Sequence, residues 1–252
     1  MLKKTALITG AGGGIGQAIS LKLHEEGINL ILIDKDLDAL QRGQSAIQTQ
    51  VVNRGGQSIK LLEADLTEKA EIKKIAEQLK NTNLNILINS AGIGAYSNIQ
   101  NLSEKTWELS LNLNVTAPFL LIKYLLKNLE NATLETGQKS VILNIGSGCG
   151  VVGVKNRVAY CTTKFALRGM SLSLHEELKN RINVVYLTLG SVATDFGGIS
   201  AKEKLQSSKK EYLTPQEVAD FIWQKIVNTD AELPAELELY PTGYFETLGK
   251  TP

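Results

Sequence analysis

An α/β fold built on one doubly wound parallel sheet is predicted by three features of the sequence. Strand-like and helix-like segments alternate from end to end. The segment Asn29–Asp34, N-L-I-L-I-D, is a continuous apolar run, as a strand buried on both faces requires. A glycine-rich turn, Gly10–Gly16, joins the first strand to the first helix. With 252 residues and no composition shift or tandem repeat, the chain is expected to form one domain, 1–252, with seven strands and helices on both sheet faces.

The elements follow in order. Thr5–Thr9 is the first strand, and the helical pattern after the glycine turn runs through Ile19, Leu21, Leu23 and Glu26 until Gly27 stops it. Asn29–Asp34 is the second strand, and the helix after it breaks near Arg54-Gly55-Gly56. Ser58–Ala64 is the third strand, ending at Asp65, and Thr67 is placed to cap a helix to Lys80. Asn85–Asn89 is the fourth. A helix over about 103–129 carries Trp107, Asn114 and Pro118. Ser140–Ile145 is the fifth strand, Ala159–Leu178 a helix, and Arg181–Leu187 the sixth strand. Residues 191–213 are polar and loop-like, an expected mobile lid. Pro215 suits the first turn of a helix to about Asn228, and Glu236–Tyr240 is the seventh strand.

Composition excludes several partners. The 27 basic and 26 acidic residues leave a net charge of +1, so neither nucleic acid nor an anionic membrane surface is expected. No apolar run approaches the roughly 18 residues of a membrane span, and the four-residue apolar run near the N-terminus is too short for a signal peptide. Two cysteines, Cys149 and Cys161, make neither a disulfide framework nor a zinc motif, which suits the cytoplasm.

The chemically suggestive residues fall at the carboxyl ends of the strands, where a doubly wound sheet binds ligands. The glycine turn offers bare N–H groups at a helix N-terminus, suited to a pyrophosphate. Its spacing, Gly10-x-x-x-Gly14-x-Gly16, departs from the general dinucleotide pattern. Asp34, twenty residues after Gly14, can accept both hydroxyls of an adenosine ribose, which favours NAD; Lys35 beside it could welcome a 2′-phosphate and keeps NADP open. Asp65 is a candidate for the adenine amino group, and Asn89-Ser90-Ala91-Gly92 forms a small-residue turn. Asn114 lies in an apolar helix, where an amide asks for a partner, and Pro118 four residues on cannot bond its carbonyl. Tyr160 and Lys164 share one helix face, where the ammonium is expected to lower the phenol's pKa toward neutrality. His24 and His175 read as packing residues. No metal cluster is apparent.

Taken jointly and in order, these motifs resemble the short-chain dehydrogenase/reductase family. The matches are Thr9-Gly10-x-x-x-Gly14-x-Gly16, Asp65, Asn89-x-Ala91-Gly92, Asn114 seven residues after Trp107, Ser147 thirteen before Tyr160, Tyr160-x-x-x-Lys164 and Gly190-x-x-x-Thr194. The resemblance implies a Rossmann sheet and NAD(P)-dependent hydride transfer to a carbonyl or from a secondary alcohol. Tyr160 would then be the general acid or base. Lys164 would lower its pKa and hold the nicotinamide ribose, Ser147 would bond the substrate oxygen, and Asn114 would complete a proton relay through its carbonyl and a water. Gly10, Gly14, Ile15, Gly16, Asp34, Lys35, Asp65, Leu66, Asn89, Ala91, Gly92, Gly190, Val192 and Thr194 would contact the cofactor. A homodimer or homotetramer through the helices over 103–129 and 157–180 is implied as well. Leu189 replaces the family's usual proline, so a looser turn is expected there, and Ser90 replaces its second asparagine. The pocket is expected to be lined by Ile93, Gly94, Ala95, Cys149, Val151, Val152 and Val192, small or apolar residues suited to an uncharged ketone or secondary alcohol. The competing readings are a non-catalytic NAD(P)H sensor and an epimerase or dehydratase of the family's extended relatives. The first has no need of Asn114, Ser147, Tyr160 and Lys164 together, and the second is disfavoured by the short chain.

Overall fold

Alternating side chains on seven parallel strands divide the interior into two apolar layers, one on each face of a single sheet. The computed structural model describes residues 3–51, 56–198, 200–206, 212–229 and 231–241. The strands are β1 (Thr5–Thr9), β2 (Asn29–Asp34), β3 (Ile59–Glu63), β4 (Ile86–Asn89), β5 (Ser140–Ile145), β6 (Ile182–Leu189) and β7 (Glu236–Leu239). They pair in the order β3-β2-β1-β4-β5-β6-β7, parallel throughout. The order reverses between β1 and β4, and that switch point opens a crevice at the carboxyl edge. This is the predicted fold class.

On one face Ala6, Ile8, Leu30, Leu32, Leu143 and Leu187 pack against α1 (Gly14–Glu25), α2 (Leu37–Gln50) and α8 (Pro215–Ile222). On the other, Leu7, Ile31, Leu87, Ile142 and Val184 meet α3 (Lys69–Gln78), α5 (Ala117–Thr136) and the end of α6 (Val158–Leu178). Residues two apart in a strand share a face, so a run such as Leu30–Ile33 serves both layers. Each fully buried Leu or Ile contributes about 1.5–3 kcal/mol.

Four local expectations are revised. Thr67 does not cap α3: its amide and hydroxyl both donate to Asp65 Oδ1, at 2.9 and 2.7 Å, and the cap position falls to Glu68. The helix expected over 103–129 is α4 (Glu104–Leu111), a π-helical turn over Asn112–Thr116, and α5, which continues to Thr136. The wide turn has a local cause. Pro118 offers no N–H to Asn114, and the Ala117 amide bonds Asn112, five residues back. The segment 191–213 is not wholly loop, since α7 (Ala201–Gln206) lies within it; Ile199 and residues 207–211 are outside the described residues. Strand β6 runs on to Leu189, and the turn after it is pinned rather than loose: the Gly190 amide donates to Leu239 at 2.9 Å. The expected break at Arg54-Gly55 and the stretch after Pro241 lie outside the described residues.

The edge strand β7 is tied to α6 by charge. Arg168 makes a two-pronged contact with Glu236, the closest at 2.7 Å, and the Thr188 hydroxyl donates to the same carboxylate at 2.7 Å. Burial alone would push the Glu236 carboxyl up, but hydrogen bonds from Arg168 and Thr188 outweigh it and leave it below its ordinary value. Its stabilising contribution is complete above the unfolded carboxyl's pKa of about 4.3 and fades as pH falls through the lower folded value. Glu236→Ala should cost on the order of 2–4 kcal/mol, because a partly buried guanidinium loses its partner. Urea unfolding checks this as a lower midpoint at constant slope. Glu236→Gln should flatten the loss of stability on acidification.

Candidate active site

The strand ends converge on a cleft of about 1080 Å³, lined by the glycine turn, Asp34, Ser90–Gly92, Ile145–Ser147, Tyr160, Lys164 and residues 189–197. At one end lies the glycine turn. Gly10 has φ of +64°, and a Cβ there would stand 2.8 Å from the Ala91 Cα. A Cβ on Gly16 would fall 2.2 Å from the Gly10 carbonyl oxygen. Bare backbone is therefore required at both positions. The cap residue of α1, Gly13, supplies no side-chain bond, and the first turn of α1 holds no acid. Its amides thus offer an anion site without an internal competitor. A dinucleotide's pyrophosphate fits such a cradle.

Asp34 sits half-buried beside that turn and is fixed from two sides. Its Oδ2 accepts from the Gly12 amide at 2.9 Å and its Oδ1 from the Asp36 amide at 3.1 Å. Lys35 is exposed and does not line the cleft. Its charge acts instead on Asp65, whose carboxyl is held below its ordinary value chiefly by the Thr67 amide, against burial, with smaller help from the Thr67 hydroxyl and Lys35. Asp65 and Leu66 lie outside the cleft lining, as do Asn89 and Asn114. Asn89 Nδ2 donates to Asn144 Oδ1 at 2.8 Å, and Asn144 Nδ2 to Ser171 Oγ at 2.8 Å, binding β4 and β5 to α6.

Asn114 finds the partners its apolar helix demands. Its Oδ1 accepts from the Ile93 amide at 2.9 Å, while Nδ2 donates to the Ile93 carbonyl and to Thr163 Oγ1, both at 3.0 Å. The loop after β4 is thereby fastened to α6 one residue before Lys164. Gly190, Val192 and Thr194 line the cleft, and the Thr194 methyl closes over Gly14, where a Cβ would lie 2.8 Å away.

At the other end Ser147, Tyr160 and Lys164 come together. Lys164 is buried and its Nζ donates to the Ile145 carbonyl at 2.7 Å. Burial lowers its amine to about 8. The ammonium stands 5.7 Å from the Tyr160 ring centroid. Tyr160 departs from expectation: its phenol is pushed well above the ordinary value, first by burial, then by the neighbouring Tyr96, with only the Ser147 hydroxyl hydrogen bond opposing. Desolvation of the phenolate outweighs the ammonium here, since that ammonium is directed at Ile145.

The wall around Tyr160 also differs from the expected set. Of the seven pocket candidates only Val192 lines the cleft. Tyr96 and Phe196 pack on the Tyr160 ring, at centroid distances of 5.7 and 5.9 Å, and Arg157, Lys204 and Tyr212 complete the lining. Gly94 lies behind the two aromatics: a Cβ there would be 2.9 Å from each. Beneath the site, the fully buried Tyr186 donates its hydroxyl to the Lys164 carbonyl at 3.2 Å and accepts from the Ser147 amide at 3.3 Å. Cβ atoms on Gly146 or Gly150 would each lie 2.3 Å from the Tyr186 side chain. A tyrosine within the apolar run of β6 was the one signal for this support.

The family model described as short chain dehydrogenase matches residues 4–204. This chain belongs to the short-chain dehydrogenase family. An uncharacterized oxidoreductase of Staphylococcus aureus (strain MRSA252) is 31% identical over 223 residues, spanning 87% of this dehydrogenase and 89% of the relative. Among solved structures, an alcohol dehydrogenase from the archaeon Thermococcus sibiricus, complexed with 5-hydroxy-NADP, superposes with a TM-score of 0.82 at 23% identity, covering 94% of this chain and 96% of that one. A 4-hydroxyisoleucine dehydrogenase complexed with NADH gives 0.78 at 23%, with the same coverage. These likenesses establish the fold.

Two outcomes are expected for this dehydrogenase. Tyr186→Phe removes the hydroxyl between Ser147 and Lys164 and should lower stability by about 1–2 kcal/mol, read by denaturant unfolding. Lys164 generates a pH effect of defined sign. Its folded pKa of about 8 lies below the unfolded lysine's 10.5, so the unfolded chain holds the extra proton between those values. Unfolding free energy should therefore rise with pH across that window, and Lys164→Met should lack the rise.

Proposed function

We propose that this chain is an NAD(P)-dependent oxidoreductase that transfers a hydride between nicotinamide and a carbonyl or secondary alcohol, with Tyr160 as general acid or base. One observation carries the reading: a single cleft joins an uncapped helix N-terminus to the Ser147, Tyr160 and Lys164 cluster. The nicotinamide, when bound, supplies or accepts the hydride.

The chain's own groups orient the substrate and manage the proton. The Ser147 hydroxyl bonds the substrate oxygen and stabilises charge developing there. Its backbone is fixed by the Tyr186 hydroxyl, so the donor needs little rearrangement. Burial keeps Tyr160 protonated near neutrality, which is the form that donates to a substrate oxygen during reduction. As the proton leaves, the buried Lys164 ammonium favours the resulting phenolate. Asn114 acts as a positioning residue, holding the loop after β4 against α6.

The fixed carboxylate of Asp34 supports NAD over NADP, since it can accept ribose hydroxyls and repels a 2′-phosphate. A soluble cytoplasmic enzyme is the reading we favour. The helical stretch Glu104–Thr136 is apolar enough by composition to cross a membrane, yet Leu121, Leu125 and Leu129 bury its inner side in the core. Its exposed Leu109 and Phe119, with Phe165 and Val158 on α6, support homodimer or homotetramer formation through these helices.

The test is nicotinamide absorbance with a panel of ketones, aldehydes and secondary alcohols. Tyr160→Phe should lower turnover by roughly 10²–10⁴-fold with cofactor affinity retained. Asp34→Ser should shift preference toward NADP. Failure of the wild type to bind either cofactor would overturn the reading.

A further inference from the structure

A cation in the wall beside Tyr160 has no task in the scheme above. Arg157 precedes α6, three residues before Tyr160, and lines the cleft half-buried. Its guanidinium lies over the Tyr96 ring, 4.4 Å from the centroid, and that ring meets Tyr160 edge-on at 5.7 Å. A single aromatic ring thus spaces the charge from the phenol. Nη1 also donates to Cys149 Sγ at 3.5 Å. A ring face and a sulfur are weak partners for a group with five N–H donors.

The other charges of this wall are taken up. Lys204 donates to the Thr194 and Phe196 carbonyls at 2.5 and 2.6 Å. Asp195 accepts from the Ala201 amide at 2.8 Å. Among the described residues Arg157 forms no ion pair, so no described carboxylate neutralises it. Stacking on Tyr96 limits the rotamers of the guanidinium, and its planar fork matches a carboxylate in two-pronged fashion. Placement and chemistry point to one kind of ligand: a substrate with a carboxylate a few bonds from its reacting carbon.

We propose that Arg157 is a specificity-determining residue that anchors a substrate carboxylate, so that this site reduces oxo acids or oxidises the matching hydroxy acids. This rests on the oxidoreductase reading of the same cleft, and it replaces the uncharged ketone expected from the sequence. The reaction is otherwise as above. The carbonyl carbon gains the hydride, its oxygen gains the Tyr160 proton, the reduced nicotinamide is oxidised, and the carboxylate is unchanged.

The test uses the full chain with NADH or NADPH and three probes, 2-oxobutanoate, 3-oxobutanoate and 4-oxopentanoate, each beside its methyl ester. Calorimetry on the same acids gives binding apart from turnover. At least one acid should exceed its ester by roughly 10- to 100-fold in kcat/KM, the worth of a charge-assisted hydrogen-bonded pair. In Arg157→Gln that ratio should collapse toward one through the acid's KM, and Arg157→Lys should restore part of it. Esters turned over as well as their acids by the wild type would overturn the proposal, whatever the variants do. An unchanged acid KM in Arg157→Gln would overturn it too. Acids that bind the wild type but not Arg157→Gln, without turnover of any probe, would uphold the anion site and count against the oxidoreductase reading. Neither turnover nor binding of the acids would overturn the anion site.

Discussion

The bond from the Lys164 ammonium to the Ile145 carbonyl is the contact around which this site is assembled. It removes a cation from water and gives it one strong acceptor at the end of the interior strand β5. A buried charge is costly, and burial accordingly lowers the amine to about 8. The rest of the site makes the arrangement tolerable. Tyr186 rises from β6 to hold the Lys164 carbonyl and the Ser147 amide with one hydroxyl. Glycines at 146 and 150 leave room for its ring. Asn114 ties Thr163, next to Lys164, to the loop after β4. Four elements therefore fix one helical turn of α6, and the reactive side chains inherit its position.

The same burial sets the protonation pattern. A phenol and an amine on one helix face suggest an ion pair, and sequence reasoning expects a lowered tyrosine. In the folded chain both groups move toward neutrality instead, because each loses water and the ammonium faces a carbonyl. A neutral phenol backed by an amine still mostly protonated near pH 7 suits the proposed role of proton donor in reduction better than a standing phenolate does.

The strands and the glycine turn were legible because their signals are local. An apolar run such as Asn29–Asp34 encodes a strand buried on both faces, and Gly10 and Gly16 occupy places where a Cβ cannot fit. Asn114 could be singled out because an amide among apolar residues needs partners; which partners they are depends on packing across 21 and 49 residues of sequence. Thr67 does not act as a cap because Asp65, two residues earlier, takes up the same hydroxyl. Of the wall around Tyr160, only Val192 was legible. Tyr96, Arg157 and Phe196 come from three separate loops and share no spacing, and the small residues expected there instead supply the backing, as Gly94 does behind Tyr96 and Phe196.

That wall also connects the two ends of the cleft. Lys204 reaches from α7 to the carbonyls of Thr194 and Phe196. Thr194 touches the glycine turn through its methyl, and Phe196 packs on the Tyr160 ring. One ammonium therefore sets the short arc that runs from the proposed pyrophosphate cradle to the proposed proton donor. Its carbonyl acceptors belong to a segment that is also held at its base by the pairing of Val192 with Leu213 and farther on by the Ala201 amide on Asp195. Lys204 thus holds with one ammonium the carbonyl of a residue beside the glycine turn and the carbonyl of a residue packed on the Tyr160 ring.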